Sequence, residues 1–481
     1  MVNIISTGIA GLDEILKGGL LKNRAYLLRG GPGTGKTTFG LHFLLEGVKR
    51  GEPVLFITLG EPKKQIITNA SILGLNLENV NFLDLSPSPE FFAQVESYDI
   101  FSPADVEREP VTQTIINAIE DIHPKRVFID SMTQFRYLAP DSYQFRKQVL
   151  SFIRYLTESG ATVLFTSEAS AEAPDDDLMF LADGIINLIA KDNLRYVSVL
   201  KLRGGDFVPG LHSYTIGQGG IKVYPRLIPE IFGVEFKYEK LSSGIPEIDE
   251  LLKGGLERGT VTIVSGPSGV GKSTFSTIFL KEAAGRGENS VIYSFEETVD
   301  KILTRSDGVN IPLRAMIESG RLKIRYIEPL TMLPEEFANI VRKDVEEFGA
   351  KVVMIDSTSG FEVSIKSENP REHLHAICRY LSHMGVIVLL PTEISEITGT
   401  FKITEQRISY LADNIIYLRY LEIKGQLKRA IGVLKKRMSD FEKTLREFEI
   451  TKYGIKVGEP LTNLRNILSG TPVFIKEQGE T

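Results

Sequence analysis

Cysteine is almost absent from this chain, since Cys378 is the only one among 481 residues. A single cysteine excludes an intrachain disulfide and a zinc site built from cysteines, and it is compatible with a reducing cytosol. No apolar run approaches the ~20 residues that span a bilayer. The first residues lack the basic start and apolar core of a secretion signal. We therefore expect a cytoplasmic protein without a membrane segment.

An excess of positive charge is also absent. The formal net charge is −6, with 42% hydrophobic and 25% charged residues, as in ordinary globular proteins. This balance does not favour nucleic acid or an anionic membrane as the partner of the whole chain. The length exceeds what one hydrophobic core usually serves, and it predicts two to three domains.

One glycine-rich motif occurs twice, as GGPGTGKTT at Gly30–Thr38 and as GPSGVGKST at Gly266–Thr274. Both copies fit the P-loop pattern G-x-x-x-x-G-K-[ST], and both lie between an apolar strand pattern and a helical pattern. In this motif successive backbone N–H groups and the helix N-terminus bind phosphate oxygens, and the lysine reaches the β- and γ-phosphates of a nucleotide. The residues that we expect to bind ATP are Gly31, Gly33, Thr34, Gly35, Lys36, Thr37 and Thr38 in the first copy, and Ser268, Gly269, Val270, Gly271, Lys272, Ser273 and Thr274 in the second.

The repeat extends far beyond the P-loops. GIAGLDEILKGGL near the start matches GIPEIDELLKGGL in the second half, and Lys36 precedes Lys272 by 236 residues (272 − 36). A period of this length indicates duplicated domains and not a solenoid. We expect a first domain at 1–224, a linker with two prolines at 225–240, and a second domain at 241–481 with a short polar tail.

Apolar, β-branched runs alternate with helical patterns in each copy. This order predicts an α/β fold of two tandem RecA-like P-loop NTPase domains, each a mostly parallel twisted sheet flanked by helices. Ligands of such sheets bind at the carboxyl ends of the strands. The predicted strands of the first copy are Ala25–Leu28, Val54–Leu59, Val127–Ile129, Thr162–Thr166 and Gly184–Leu188, and those of the second are Val261–Val264, Ser290–Phe295, Val352–Ile355, Val386–Leu390 and Asn414–Leu418.

Two aspartates are candidates for holding Mg²⁺. Asp130 follows the strand residues VFI and Asp356 follows VMI. An aspartate at the tip of a buried strand opposite a P-loop commonly holds this metal together with the P-loop hydroxyl. The predicted metal-binding pairs are therefore Thr37 with Asp130, and Ser273 with Asp356.

Hydrolysis of ATP also needs a group that orients and deprotonates water. The second copy offers Glu296 and Glu297, whereas the first has Gly60 and Glu61 at the same offset. The two sites are thus chemically unequal. Either Glu61 alone is sufficient, or the first copy binds ATP and hydrolyses it slowly.

A cation pair closes a late strand in each copy, in Lys201-Leu202-Arg203 and in Lys435-Lys436-Arg437. Residues two apart on a strand share a face, so the lysine and arginine could meet the phosphate of a neighbouring subunit, as an arginine finger does. A solvated strand end explains the same spacing equally well.

Aromatic and cationic residues alternate over residues 135–155, which is compatible with a single-strand nucleic-acid platform. The helical spacing of Phe145, Val149, Phe152 and Leu156 instead favours one face of a helix packed in a core. We prefer core packing.

With these motifs in view, the chain resembles the KaiC family, the double-domain ATPases of the RecA-like group. The resemblance covers nearly the whole length and includes both GGL lead-ins, VLKLRGG and the stretch that ends at Arg437. It implies a two-tier homohexamer with ATP held between subunits. It would give ATP-binding roles across the seam to Lys201, Leu202, Arg203, Lys435, Lys436 and Arg437.

Clock-type members of this family also phosphorylate themselves on adjacent serine and threonine residues. Ser409 matches that serine, Tyr410 replaces the threonine, Thr404 matches a nearby hydroxyl, and Glu296 matches the glutamate that acts as base. The resemblance therefore implies Ser409 and Thr404 as phosphorylation sites, although Tyr410 argues against an ordered two-site cycle. It leaves a KaiB-like or another signalling protein open as partner. The tail after Ser469 is much shorter than the family's KaiA-binding tail, so KaiA is not expected.

The sequence thus predicts a Mg²⁺-dependent, hexameric ATPase, with catalytic roles for Glu61, Glu296 and Glu297 and serine/threonine autokinase activity in the second domain. Two alternatives stay open at this stage. A single-stranded-DNA-dependent RecA- or DnaB-like ATPase would be stimulated by DNA, and an ATP-gated scaffold would bind nucleotide with negligible turnover.

Overall fold

The computed structural model describes residues 3–87, 105–138, 141–168, 174–329, 332–365, 367, 369–394, 410–423, 425–462, 464–465 and 473–474. The chain divides into two compact units, Met1–Arg226 and Leu227–Thr481. Each unit contains one nine-stranded sheet.

The first unit has six helices and eleven strands in its described part. Its helices are α1 Ala10–Ile15, α2 Lys36–Lys49, α3 Lys63–Ile72, α4 Asp105–Ile122, α5 Ser142–Glu158 and α6 Asp176–Leu181. Its strands are β1 Ile4–Ile5, β2 Leu20–Leu21, β3 Ala25–Gly30, β4 Val54–Thr58, β5 Asn81–Asp84, β6 Arg126–Asp130, β7 Thr162–Ser167, β8 Gly184–Lys191, β9 Leu194–Leu202, β10 His212–Gly217 and β11 Gly220–Tyr224. A 3-10 helix covers Met132–Leu138.

In its described part, the second unit has the same order of strands, with one additional strand pair near its end. Its helices are α7 Pro246–Leu251, α8 Lys272–Gly285, α9 Val299–Asp307, α10 Leu313–Glu318, α11 Pro334–Glu346, α12 Thr358–Ser364 and α13 Pro370–His383. Its strands are β12 Lys240–Leu241, β13 Leu256–Glu257, β14 Val261–Gly266, β15 Asn289–Ser294, β16 Leu322–Tyr326, β17 Ala350–Asp356, β18 Ile387–Glu393, β19 Asn414–Ile423, β20 Gln426–Lys436, β21 Arg446–Thr451, β22 Gly454–Pro460, β23 Leu464–Arg465 and β24 Val473–Phe474. A 3-10 helix covers Pro229–Ile231.

The two large sheets have the same topology. The order is β11-β10-β9-β8-β3-β7-β6-β4-β5 in the first unit and β22-β21-β20-β19-β14-β18-β17-β15-β16 in the second. In the first sheet β3 pairs in parallel with β7 and β8, whereas β9 runs antiparallel to β8. The second sheet has the matching pairs. The predicted fold class, two tandem RecA-like α/β domains, is confirmed.

The central strands are buried on both faces because helices cover each side of the sheet. In β4 all five residues are buried, and in β14 all six are. Helix α5 turns Phe145, Val149 and Leu156 into the core, and Phe152 packs partly buried against the same cluster. The preference for core packing over an exposed aromatic platform is confirmed for these residues.

The segment that joins the two domain patterns packs on the second unit. Leu227 lies in the core of that unit, and the ring of Phe232 contacts Tyr380 edge-on at 5.2 Å. The backbone N–H of Val234 donates to the carbonyl oxygen of His383 at 3.2 Å. These contacts anchor the beginning of the segment to α13.

In the described ranges, none of the helices combines the length and the apolar character that crossing a bilayer requires.

Candidate functional site: two P-loops with acidic partners

The P-loops connect the central strand of each sheet to a buried helix. Helix α2 begins at Lys36 directly after Gly35, whose φ is +85°, and α8 begins at Lys272 after Gly271, whose φ is +111°. These left-handed conformations favour glycine. A Cβ on Gly35 would also lie 2.6 Å from the Cδ1 atom of Ile216, so the Ile216 side chain would have to move.

Some predicted phosphate-binding residues direct their side chains inward. Thr34, Val270 and Thr274 are buried, and Val270 belongs to the core of the second unit. The hydroxyl of Tyr214 donates to the carbonyl oxygen of Thr34 at 2.6 Å and so fixes the first loop on β10. These residues are therefore placed to bind an anion through their backbone N–H groups, as P-loops do.

The two P-loop lysines lie across their own loops. Nζ of Lys36 donates to the carbonyl oxygens of Gly30 at 2.7 Å and Gly31 at 3.1 Å, and Nζ of Lys272 donates to that of Pro267 at 2.9 Å. Burial lowers the pKa of both lysines, and nearby carboxylates oppose this effect. A phosphate would offer each ammonium group a stronger acceptor than a carbonyl oxygen.

The predicted metal-binding pairs meet in both units. The hydroxyl of Thr37 donates to Oδ2 of Asp130 at 2.6 Å, and that of Ser273 donates to Oδ1 of Asp356 at 3.0 Å. A hydroxyl and a carboxylate at the phosphate-binding end of a helix are hard oxygen donors, the type that Mg²⁺ prefers. The residues present therefore fit this ion.

The second pair lies in a markedly acidic environment. Burial raises the pKa of Asp356 to about 6, and the charges of Glu297 and Glu296 act in the same direction. The hydrogen bond from Ser273 and the charge of Arg305 oppose the rise. A cation bound here would stabilise the ionised carboxylate, which is consistent with a metal site.

Glu61 and Glu297 occupy equivalent positions. Each backbone carbonyl accepts a hydrogen bond from a strand hydroxyl, from Thr58 to Glu61 at 2.5 Å and from Ser294 to Glu297 at 2.6 Å. Both glutamates therefore follow the strand beside the one that ends in Asp130 or Asp356. The offset of 236 residues (297 − 61) derived from the sequence holds in the structure.

The partners of these two carboxylates differ. Nδ2 of Asn69 donates to Oε1 of Glu61 at 2.8 Å, whereas Nη2 of Arg305 lies 3.0 Å from Oε2 of Glu297. Burial raises the pKa of Glu61, the charge of Asp130 raises it further, and the bond from Asn69 opposes both. Glu61 thus keeps a neutral partner, and Glu297 is ion-paired.

Glu296 has no counterpart in the first unit, because Gly60 occupies the matching position there. Its Oε1 accepts a hydrogen bond from the hydroxyl of Ser357, the residue that follows Asp356. Of the two adjacent glutamates, Glu296 is therefore held by a neutral donor next to Asp356.

The P-loop follows the carboxyl end of the central strand of each sheet. The Lys-x-Arg pairs lie near the opposite, amino ends of the parallel strands. Lys201 and Arg203 stand at the end of β9, whose last residue, Leu202, pairs with Gly184 at the beginning of β8. Because β8 is parallel to β3, the beginning of β8 is remote from the end of β3 that carries the P-loop. The second unit has the same arrangement at the end of β20.

The arginines of these pairs remain largely exposed. Nη1 of Arg203 lies 3.9 Å from Oδ1 of Asp183, and Nη1 of Arg437 lies 3.3 Å from Oδ1 of Asp413. The side chains of Arg203 and Arg437 are 55% and 53% exposed, so both can be reached from outside their own unit.

Lys436 differs from its two neighbours. Its side chain is fully buried, and its ammonium group contacts Oε1 of Glu257 and the hydroxyl of Ser439 within its own unit. Any contact of Lys436 with a nucleotide of a neighbouring subunit would thus use its backbone.

The sequence-derived phosphorylation sites Ser409 and Thr404 lie outside the described residues. The next residue, Tyr410, is described, and its side chain is largely exposed.

Four polar residues of the sites were not identified from the sequence. They are Thr166, Ser357, Asn69 and Arg305. The hydroxyl of Thr166 donates to Oδ1 of Asp130 at 2.6 Å and fixes that carboxylate from the side opposite Thr37. Its place at the end of a strand beside the P-loop strand was the available signal. Arg305 and Asn69 share the offset of 236 residues (305 − 69), which a closer comparison of the repeats would have shown.

Comparison with known proteins agrees with this geometry. The family described as the KaiC ATPase matches the chain twice, over residues 5–228 and 241–462. The chain belongs to the KaiC ATPase family.

Several similar proteins carry the KaiC name. The chain is 30% identical to the circadian clock oscillator protein KaiC of Parasynechococcus marenigrum, over 98% of this chain and 93% of that protein. It is 30% identical to the circadian clock protein KaiC3 of a Synechocystis species, over 98% and 94%. It is 29% identical to KaiC of Synechococcus elongatus, over 98% and 92%. Membership of the KaiC family and its two ATPase domains make this chain an ATP-binding protein of the ATPase class.

Proposed function

We propose that this chain is a Mg²⁺-dependent ATPase that assembles as a homohexamer, with one nucleotide site in each of its two domains. The observation that carries the proposal is the hydrogen bond between the P-loop hydroxyl and the strand-end aspartate, Thr37 to Asp130 and Ser273 to Asp356. This contact joins the phosphate-binding loop to an acidic group in both units, as nucleotide hydrolysis requires.

In this proposal the backbone N–H groups of each P-loop bind the β- and γ-phosphates, and Lys36 or Lys272 turns from its loop carbonyls to the same oxygens. Thr37 with Asp130, and Ser273 with Asp356, would hold Mg²⁺. The bound ion would neutralise negative charge that develops on the phosphate during transfer.

The attacking water would be oriented by a carboxylate that follows β4 in the first domain and β15 in the second. Glu61 has this role in the first domain and Glu296 in the second, with Glu297 beside it. The first domain has only one such carboxylate because Gly60 replaces the other. We therefore expect slower hydrolysis in the first domain, where ATP also acts as a structural ligand.

Completion of each site from a neighbouring subunit would supply the remaining positive charge. Lys201 and Arg203 lie at the end of the sheet that is remote from their own P-loop, and the same holds for Lys435 and Arg437. Such cations reach a γ-phosphate only when the cation pair of one chain meets the P-loop of another. A ring of identical subunits satisfies this requirement for every site.

The test combines phosphate release with native mass spectrometry of the full chain. We expect hydrolysis that needs Mg²⁺ and stops with EDTA, and a hexamer that forms when ATP is bound. Lys36→Ala and Lys272→Ala should each weaken nucleotide binding and ring assembly together. Rings that persist in both variants at low ATP would contradict a nucleotide in the seam, and a chain that stays monomeric without affinity for adenine nucleotides would refute the whole proposal.

The second domain is also proposed to phosphorylate Ser409 or Thr404, with Glu296 as base. Tyr410, directly after Ser409, is exposed, and two residues further along the carbonyl oxygen of Ala412 accepts a hydrogen bond from Nζ of Lys435 at 2.6 Å. Ala412 therefore lies beside the cation pair that we propose to face a neighbour's nucleotide. Mass spectrometry after incubation with ATP and Mg²⁺ should find phosphate on this segment, and an unmodified second domain would leave only the ATPase.

A further inference from the structure

Ser357 connects the metal-binding strand to Glu296. Its hydroxyl accepts a hydrogen bond from the backbone N–H of Gly360 at 3.1 Å, which caps the beginning of α12. The same hydroxyl donates to Oε1 of Glu296. A serine hydroxyl has one proton and two lone pairs. The bond from Gly360 uses a lone pair, so the single proton remains for the carboxylate. The helix cap thus fixes the direction in which Ser357 donates.

Gly360 allows this contact to be close. A Cβ at this position would lie 2.8 Å from Cβ of Phe295 and 3.1 Å from both Cγ and Oε1 of Glu296. The first of these distances is shorter than side chains tolerate, and the backbone of α12 therefore passes directly over the Glu296 side chain. Glycine is required here for steric reasons and not for a special backbone angle.

The residue before Glu296 is equally constrained. Phe295 is buried, and its ring packs edge-on against Phe337 at 5.5 Å and Phe361 at 5.6 Å. Phe361 belongs to α12, the helix that Ser357 caps. The backbone of Glu296 and the hydroxyl that holds its carboxylate are therefore parts of one packed unit.

We propose that Ser357 is a positioning residue that locks one oxygen of Glu296 and leaves Oε2 to receive the proton of the attacking water or hydroxyl. This assignment rests on the proposed function of Glu296 as the general base of the second domain. Holding a base in its productive geometry supplies much of the benefit of an active site, because small displacements cost large factors in rate. In the first unit Ser131 stands in the matching place, but Gly60 provides no carboxylate for it to hold.

The experiment measures steady-state ATP hydrolysis by the full chain in a Glu61→Gln background, so that the second domain dominates turnover. We expect Ser357→Ala to lower kcat about tenfold with little change in KM, because the base loses orientation while nucleotide binding is retained. Ser357→Thr keeps the hydroxyl and should restore most of the lost rate. Ser364→Ala removes a buried hydroxyl at the other end of the same helix and serves as the matched control, with kcat expected to stay near the parent value.

A double-mutant cycle separates positioning from a general loss of structure. Once Glu296→Gln has removed the base, adding Ser357→Ala should cause no further loss of kcat. An equal loss in both backgrounds, or no loss in either, would overturn the proposal. Gly360→Ala, which pushes on Glu296 and keeps the hydroxyl, should likewise lower kcat only when Glu296 is present.

The proposed function can fail separately from this inference. If Glu296→Gln itself leaves hydrolysis unchanged in the Glu61→Gln background, Glu296 is not the base, and positioning by Ser357 is refuted together with that role. If Glu296→Gln abolishes turnover but Ser357→Ala does not lower it, the base assignment stands and the positioning role is refuted.

Discussion

Nη2 of Arg305 lies 3.0 Å from Oε2 of Glu297. At the matching place in the first unit, Asn69 donates to Glu61 at 2.8 Å. The two units therefore hold equivalent carboxylates by different means, an ion pair in one and a neutral amide in the other. The repeat has thus kept the position of this glutamate while its electrostatic environment has changed.

We predict that the two adjacent glutamates of the second domain contribute unequally. In a Glu61→Gln background, Glu296→Gln should lower kcat by about 10²–10⁴, as expected for the loss of a general base. Glu297→Gln should lower kcat by less than about tenfold, because Arg305 already engages that carboxylate. Phosphate release at saturating ATP makes the comparison. If Glu297→Gln produced the larger loss, the base role would belong to Glu297.

We predict that Thr166 supports metal binding in the first domain only. Thr166→Val removes the bond to Asp130 without changing the side-chain volume much, and losing a partner that orients a ligand typically weakens metal binding by about 10–100-fold. The Mg²⁺ concentration for half-maximal hydrolysis should rise in a chain whose second site carries Glu296→Gln. In the complementary chain, with Glu61→Gln, the Mg²⁺ requirement should not change, because Thr166 bonds Asp130 and not Asp356 of the second site. A parallel rise in both chains would indicate a general structural effect.

We predict opposite phenotypes for two adjacent lysines. Lys436→Ala removes the nearest ammonium partner of the Glu257 carboxylate, which is 3% exposed and then keeps only Lys240 at 3.7 Å and the Ser439 hydroxyl, and it should destabilise the second unit by about 3 kcal/mol. Lys435→Ala should leave the melting temperature nearly unchanged and lower second-domain turnover, because Lys435 is proposed to act on a neighbouring subunit. Calorimetry and phosphate release on the same preparations provide both readouts. A stable but inactive Lys436→Ala variant would reverse this assignment.

We predict a pH-dependent contribution from Asp344. Burial raises the pKa of this aspartate, but hydrogen bonds from Arg325 at 2.6 and 2.7 Å and from Tyr293 at 2.8 Å outweigh burial, and the net pKa is lowered. A carboxylate with a lowered folded-state pKa stabilises the protein above its unfolded-state pKa, and this contribution is lost as the pH falls through the folded-state pKa.

Asp344→Asn should therefore destabilise the second unit at pH 7 by about 3 kcal/mol, the lower end for a broken buried pair because Arg325 retains some water. Urea unfolding of both proteins from pH 7 downward should show the gap closing below the ordinary aspartate pKa of about 3.9. A gap that stays constant across this range would exclude the ionised carboxylate as its source.

The features that the sequence predicted well are those in which local pattern and chemistry coincide. Each P-loop has a strand before it and a helix after it, and the strand-end aspartates follow from the rule that parallel strands finish at one edge. The hydrogen bonds from Thr37 to Asp130 and from Ser273 to Asp356 follow directly from that topology. The replacement of Glu296 by Gly60 in the first copy was likewise visible in the repeat.

The features that were missed depend on packing across elements. The hairpin of β10 and β11, which brings Tyr214 against the first P-loop, has short half-buried strands with a weak pattern. The bond between Ser357 and Glu296 joins two loops that are distant in sequence. The burial of Lys436 was predictable in principle, since alternation along β20 places it on the face opposite Lys435 and Arg437.

The position of Lys201 and Arg203 at the far edge of their sheet has a consequence for kinetics. If these cations complete a neighbour's site, as proposed, a single chain would bind a nucleotide without the full set of positive charges around its γ-phosphate. Specific activity would then depend on protein concentration. Dilution would abolish activity while the chains were still folded. Mixing active chains with subunits that lack these cations would lower the activity of the assembly in proportion to the number of subunit interfaces without them.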